Sequence, residues 1–243
     1  MTNKRVAFIL GGSGGIGKAI AEKLVEQNFA VAVHYSGNKV KAETLVEEIV
    51  KAGGEAISVG GDVADEAQMI DAFDLITAHF GGVDVVINTA GIMKLSPIAT
   101  LDMEDFDQIQ RTNVRGTFVV SKQAALSVRK GGAIINFSTS VTRTSFLAYG
   151  AYVASKAAVE SLTLILAREL RGKDITVNTV APGPTATPLF LTGKDDETIE
   201  NLAKATPLER LGQPDDIAET VAFLAGPARW VNGQTIFTNG GLA

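Results

Sequence analysis

Val6-Ala7-Phe8-Ile9-Leu10-Gly11-Gly12-Ser13-Gly14-Gly15-Ile16-Gly17 decides the fold. The unbroken apolar run Val6 to Leu10 reads as a strand buried on both faces. From Lys18 to Gln27, Ala19, Ile20, Leu24 and Val25 fall on one face of a helix. A strand that passes through a glycine-rich turn into a helix makes a phosphate cradle, because the backbone comes close to an anion and the first N–H groups of the helix point at it. The run fits Gly-x-x-x-Gly-x-Gly as Gly11, Gly15 and Gly17. It nearly fits a nucleotide P-loop, Gly12-x-x-x-x-Gly17-Lys18, but Ala19 stands where a hydroxyl should hold Mg²⁺. It also matches the Gly-x-Ser-x-Gly elbow of serine hydrolases, which needs a histidine on a late loop, and the only histidines are His34 and His79.

The strand–helix unit then repeats. Strands are expected at Ala30 to Tyr35, Ala56 to Val59, Val83 to Asn88, Ala133 to Phe137, Ile175 to Val180 and near Thr235 to Phe237. Helices are expected from about Lys39 to Ala52, with Leu45, Val46, Ile49 and Val50 inward, and from Glu66 to His79, Met103 to Arg129, Ala151 to Leu170 and Pro214 to Leu224. Such alternation predicts a doubly wound parallel α/β sheet of Rossmann type, three layers deep, in one domain spanning 1–243. Ligands of open α/β sheets lie beyond the carboxyl ends of the strands. Here those ends carry Gly11 to Gly17, His34 to Asn38, Gly61-Asp62-Val63 and Asn88-Thr89-Ala90-Gly91. Five of seven prolines fall within residues 182–214 beside the acidic run Asp195-Asp196-Glu197, so a long connection at about 184–212 is expected to form a lid over those ends.

Composition excludes several function classes. The 243 residues are 46% hydrophobic, enough for one substantial core. There is no cysteine, and two histidines do not make an ordinary zinc site, so no metal centre is expected. A net charge of −5 without a basic block argues against nucleic acid. The apolar run after Met1-Thr2-Asn3-Lys4-Arg5 is too short to span a bilayer and meets glycines instead of a cleavage site, so a cytoplasmic protein without a membrane partner is expected.

Tyr152 and Lys156 are four apart in an expected helix, so a phenol and an ammonium share one face. A neighbouring cation favours the phenolate, and the tyrosine pKa is expected to be drawn down from about 10. The same helix is apolar around most of its circumference, from Val153 through Ala167, and one face is left needing a partner.

The glycine loop, Asn88 to Gly91, Tyr152 with Lys156, and Pro182-Gly183 after a late strand, in this order and at strand ends, resemble the motifs of the short-chain dehydrogenase/reductase family over essentially the whole chain. The chain is similar to the 3-oxoacyl-(acyl-carrier-protein) reductase-like members. The resemblance implies an NADPH-dependent oxidoreductase that reduces a ketone or 3-oxo carbonyl to the alcohol, reversibly, and a homotetramer. It implies a catalytic group of Asn113, a serine, Tyr152 and Lys156, with Tyr152 as general acid, Lys156 lowering its pKa and holding the cofactor ribose, and Asn113 seating a water. The serine position about thirteen before the tyrosine is Thr139, while the local pattern favours Ser140, which is taken as the catalytic hydroxyl with Thr139 as the alternative and Ser138 as structural.

Implied cofactor contacts are Gly11, Ser13, Gly14, Gly15, Ile16, Gly17, Tyr35, Ser36, Asn38, Lys39, Asp62, Val63, Asn88, Ala90, Gly91, Tyr152, Lys156, Pro182, Gly183, Thr185 and Thr187. NADPH is favoured because no Asp or Glu stands at the end of the second strand, where an NAD site holds the ribose 2′-OH, and Lys39 offers a positive charge to a phosphate. Leu10 and Thr89 depart from the family's threonine and asparagine, and each looks like a lost structural hydrogen bond. Arg143 stands where relatives have a small residue. Phe146, Leu147, Tyr149, Leu189, Phe190 and Leu191 suggest a largely apolar substrate. A dinucleotide-binding regulator without turnover is the competing reading, and it has no need to keep Asn113, the hydroxyls, Tyr152 and Lys156 together.

Overall fold

The computed structural model describes residues 2–243. Seven parallel strands make one sheet: β1 (Arg5–Leu10), β2 (Phe29–Tyr35), β3 (Glu55–Gly60), β4 (Val83–Asn88), β5 (Val128–Phe137), β6 (Thr176–Pro182) and β7 (Thr235–Thr238), in the order β3-β2-β1-β4-β5-β6-β7. Residues alternate between the faces. Ala7 and Ile9 of β1 face α1 (Gly15–Glu26), α2 (Lys39–Lys51) and α10 (Pro214–Ala225). Val6, Phe8 and Leu10 face α3 (Glu66–Phe80), α5 (Gly116–Ser127) and α7 (Gly150–Glu169). Each layer is an apolar core, so the strands are buried on both sides and read as continuous hydrophobic runs. The chain reverses its direction of travel across the sheet between β1 and β4, and the loops after these strands form the crevice.

Three expectations are corrected. The long helix does not run from Met103 to Arg129: α4 (Met103–Ile109) passes through one wide turn of π geometry (Gln110–Arg115) into α5, which stops at Ser127. Val128 then begins β5 opposite Val83, and Asp84 of β4 takes the Arg129 guanidinium at 2.9 Å from Nε, pulling that residue into the sheet. Val50 is 52% exposed, because Ala42, Leu45 and Ile49 already fill the inner stripe of α2. Short helices also form where none was expected, at Ile98–Thr100 and at α6 (Val141–Thr144).

Helix α7 is long and apolar enough to cross a bilayer by length and composition. In the fold it lies on the sheet, and its buried stripe includes Ser155, Lys156 and Thr163. On its other side Leu164 and Ile165 remain exposed. Between β6 and α10 the chain carries α8 (Pro188–Leu191) and α9 (Asp196–Lys204) over the carboxyl ends of the strands.

Candidate active site

Two adjoining spaces lie above the crevice. The first, about 710 Å³, is lined by Gly11, Ser13 to Gly17, Tyr35, Ser36, Asn38, Asp62, Val63, Ala90, Gly91 and Thr187. The second, about 140 Å³, is floored by Thr139, Tyr152 and Lys156 and reaches Pro182, Gly183, Thr185 and Thr187, with largely apolar walls. The spaces share Ile16, Thr89, Gly91, Ile92, Phe137, Thr187 and Leu189.

The glycine loop is a cradle that a side chain would fill. A Cβ on Gly17 would stand 2.3 Å from the Gly11 carbonyl oxygen and 2.8 Å from Gly12 Cα. Gly14 N–H donates to that same Gly11 oxygen at 2.9 Å, closing the turn, and Gly14 leads into α1 without a side-chain cap, so the helix's first N–H groups remain available to an anion. The loss expected at Thr89 is not one: its hydroxyl donates to the Leu10 carbonyl at 2.7 Å and keeps the β1 and β4 ends together.

His34 braces the loop from behind. Its Nδ1 accepts from Gly11 N–H at 3.3 Å, and its Nε2 meets the Gly61 carbonyl at 2.9 Å, which fixes the neutral tautomer with the proton on Nε2. Burial lowers its pKa from 6.5 to about 4. The unfolded chain therefore binds a proton between pH 6.5 and 4 that the native protein refuses. Stability is full above that window and falls as the pH drops through it, by about 3 kcal/mol. In thermal melts the parent's lead in Tm over His34→Gln should shrink from pH 7 to pH 4, and a constant lead would remove His34 from the acid response.

At the reacting end, Lys156 Nζ donates to the Phe137 carbonyl at 2.9 Å and lies 5.9 Å from the centre of the Tyr152 ring. Burial pushes Tyr152 up to about 12, with Tyr149 adding to the effect, and burial draws Lys156 down to about 8. The expected lowering of the phenol is thus absent: Lys156 is buried and Tyr152 half-buried, which disfavours each charged form, and the ammonium is engaged by a carbonyl instead of the phenolic oxygen. Tyr152 keeps its proton at neutral pH. The Thr139 side chain, whose Oγ1 accepts from Val141 N–H at 3.3 Å, lies near enough to the Tyr152 hydroxyl to oppose that rise in part.

Several residues chosen from sequence have side chains already engaged by the protein. Ser140 and Thr139 both line the cavity; the Ser140 hydroxyl donates to the Ala181 carbonyl at 3.3 Å, and the Thr139 side chain is the one that acts on Tyr152. Ser138 donates to Glu160 at 2.6 Å. Asn113 lies in the π turn, fully buried: its Oδ1 accepts from Ile92 N–H, and its Nδ2 donates to the Ile92 carbonyl and to Ser155 Oγ at 2.9 and 3.0 Å. Its side chain ties the β4 loop to α7 and is already engaged. Asn88 does not reach the crevice, because strand alternation points it into the helix layer, where it donates to Thr117 at 3.1 Å. Lys39 turns along α2 to Glu43 at 3.4 Å and does not line the crevice, while Asn38 caps α2 by accepting from Lys41 N–H at 3.0 Å. Arg143 points away from the substrate space, to Glu160 at 3.5 Å and over the Phe237 ring.

Sequence reading also missed residues. Arg111 lines the crevice and reaches Asp62 at 2.6 Å. The π turn rotates it there, and ordinary helix periodicity gives no hint of that turn. Met93, Leu202 and Leu242 line the substrate space without any motif to mark them.

A family model described as "Enoyl-(Acyl carrier protein) reductase" matches residues 11–243. The chain is 43% identical to a short-chain type dehydrogenase/reductase of Picea abies, over 98% of this chain and 92% of the relative. It is 41% identical to an Arabidopsis thaliana NADPH-dependent aldehyde reductase-like protein, over 98% and 93%, and 38% identical to a Staphylococcus aureus 3-oxoacyl-[acyl-carrier-protein] reductase, over 100% and 99%. Among solved structures, a Burkholderia cenocepacia short chain dehydrogenase in complex with NADP superimposes with a TM-score of 0.92 at 34% identity, covering 98% of this chain and 97% of that one.

Proposed function

The chain belongs to the short-chain dehydrogenase/reductase family, and on that premise we propose that it uses NADPH to reduce the carbonyl of an uncharged, largely apolar aldehyde or ketone. What carries the reading is the junction of Tyr152, Thr139 and Lys156 in a cavity in which, among the described residues, Lys156 is the sole charged side chain. NADPH, when bound, supplies the hydride. Gly11 to Gly17 would hold its phosphates, Ser36 and Asn38 the adenosine end, Asp62 and Val63 the adenine side, and Thr187 and Pro182 the nicotinamide end.

Tyr152 acts as the general acid. Its raised pKa keeps the proton in place until the carbonyl oxygen becomes basic enough to take it. Thr139 donates a second hydrogen bond to that oxygen and aims it. Lys156 remains an ammonium at neutral pH and stabilises the phenolate left behind. Asn113 fixes the loop and helix that carry these groups, and the lid segment excludes water. The chain works as a homotetramer, with the exposed Leu164 and Ile165 of α7 covered by another copy.

The test is loss of NADPH absorbance with aldehydes, ketones, a 3-oxoacyl thioester and an enoyl thioester. Turnover is expected with the simple carbonyls. Reduction of the 3-oxoacyl thioester alone would move the substrate to the second reading, which the Staphylococcus aureus relative favours. NADPH binding without turnover of any compound would leave a regulator.

Choice of NADPH rests on the absence of a carboxylate at Tyr35 to Asn38 together with the named relatives, since Lys39 is engaged on the helix surface. An exposed pair of that kind is weak and free to rearrange. Tyr35 packs across Gly60, so Ser36, which lines the crevice, is the better place to add an acid. Ser36→Asp should lower kcat/KM with NADPH at least ~10-fold and leave NADH unchanged or improved, because the new carboxylate repels a 2′-phosphate and accepts from a 2′-OH. An unchanged ratio would show that this turn does not meet the ribose.

A further inference from the structure

Two elements far apart in sequence complete the lining of the substrate cavity, Leu202 on α9 and Leu242 beyond β7. A tight turn brings Leu242 there. Gly240 and Gly241 take left-handed φ values of 65° and 87°, which residues with a Cβ rarely adopt, and the chain doubles back. Asn239 holds the reversed segment from both sides. Its Oδ1 accepts from Gly241 N–H at 3.0 Å, its Nδ2 donates to the Ala243 carbonyl at 3.1 Å, and its own carbonyl accepts from Leu242 N–H at 3.3 Å.

This turn rests on the far end of the lid. A Cβ on Gly241 would stand 3.0 Å from Pro207 Cγ, and one on Gly240 3.5 Å from Thr206 Cβ. Thr206 is buried, and its one hydroxyl proton is shared between the Ala203 and Arg210 carbonyls, at 2.9 and 3.1 Å. The two ends of the lid are pinned together, since Gly212 N–H donates to the Pro184 carbonyl and Ala186 N–H to the Gly212 carbonyl, both at 2.8 Å. Arg210 adds a bidentate grip on Asp216 at 2.6 and 2.9 Å. Lid and tail therefore pack as one wall, and Leu242 is its inward-facing residue from the tail.

We infer that Leu242, held by Asn239, sets the length of carbonyl substrate that the cavity accepts; this rests on the carbonyl-reductase reading of the site. The cavity is small. Its 140 Å³ compares with the roughly 10–15 Å³ that one water needs on the same measure, so it takes a short chain or one small ring. The substrate's far end meets apolar atoms, and a charged end would lose its hydration without a partner. Leu242 is half-exposed, so cutting it back opens the cavity outward into solvent instead of leaving a sealed void. A longer chain then has a way out past the turn.

The experiment measures kcat/KM with NADPH for straight-chain aldehydes from propanal to decanal and the matching 2-alkanones, in the parent, Leu242→Ala, Leu242→Trp and Asn239→Ala, with a thermal melt of each. Leu242→Ala should raise kcat/KM for the longest members ~10-fold relative to propanal, the scale expected when an apolar pocket wall is moved by a few carbons. Leu242→Trp should cut off the series at shorter chains. Asn239→Ala, which touches no substrate, should reproduce the relaxed profile by releasing the turn. An active parent whose chain-length profile is the same in all three variants overturns the inference while the carbonyl reading stands. A parent that binds NADPH but reduces no member of either series overturns the carbonyl reading and this inference with it.

Discussion

Replacing Tyr152 by phenylalanine should lower kcat by ~10²–10⁴, the range that a positioned general acid supplies, with NADPH affinity and Tm close to the parent. The hydroxyl is the one group on the cavity floor that pairs a transferable proton with a cation behind it. Thr139 is a neutral donor, and Lys156 is already donating to the Phe137 carbonyl. The substitution removes little else. The ring keeps its edge-to-face packing on Tyr149, with centroids 6.4 Å apart. Structure and proton transfer are thus separable at this position. A variant within tenfold of the parent on a good substrate would show that the proton comes from elsewhere, with Thr139→Val the next variant to assay.

The pKa pattern gives that prediction a direction in pH. Burial holds Tyr152 up at about 12 and brings Lys156 down to about 8. In the reducing direction the acid is protonated across the whole neutral range, so the limb that matters is deprotonation of Lys156. Above about pH 8 the ammonium is lost, the phenolate that must form has no cation behind it, and reduction slows. Sequence alone gave the opposite emphasis, a phenol already drawn down by its neighbour, because helical spacing tells which groups are close and says nothing about how dry the place is.

That contrast describes what was legible. Strand and helix periodicity located every strand of the sheet, and the glycine loop and Tyr152 with Lys156 identified themselves by spacing. Failures cluster where one turn or one side-chain rotation decides. The reading of residues 103–129 as a single helix hid the π turn, which swings Asn113 inward to Ile92 and Ser155 and leaves Arg111 facing the crevice. Asn88 stands at the expected strand end, but alternation along β4 turns its side chain to Thr117 in the helix layer. Ser140 and Thr139 are neighbours that both line the cavity, and only the backbone path after β5 shows that the Ser140 hydroxyl donates back onto Ala181. Leu242 had no signal at all, since an apolar residue after two glycines has no periodicity to belong to.

Gly17→Ala should weaken NADPH binding at least ~100-fold and lower Tm, although it adds a single methyl in a helix that would otherwise favour alanine. The methyl would lie 2.3 Å from the Gly11 oxygen, 2.8 Å from Gly12 Cα and 3.0 Å from the Gly11 carbonyl carbon. All three are backbone atoms, so no rotamer change relieves the overlap, and the loop or the first turn of α1 must move by roughly an ångström. Neither is free to do so. The Gly11 oxygen is the acceptor that closes the turn to Gly14, Gly11 N–H is held by His34, and α1 is packed on the sheet through Ile20 and Leu24. Overpacking of this kind costs about 1–3 kcal/mol, which for a chain of this length is about 2–12 °C in Tm. The cradle loses more than the fold does, because an anion reads the position of each N–H group directly. Gly37→Ala is the matched control. It lines the same crevice, yet nothing stands within 4 Å of its added carbon, so binding and Tm should stay near the parent. A folded Gly17→Ala protein that binds NADPH within threefold of the parent in a fluorescence titration would mean that the phosphates do not rest on this loop.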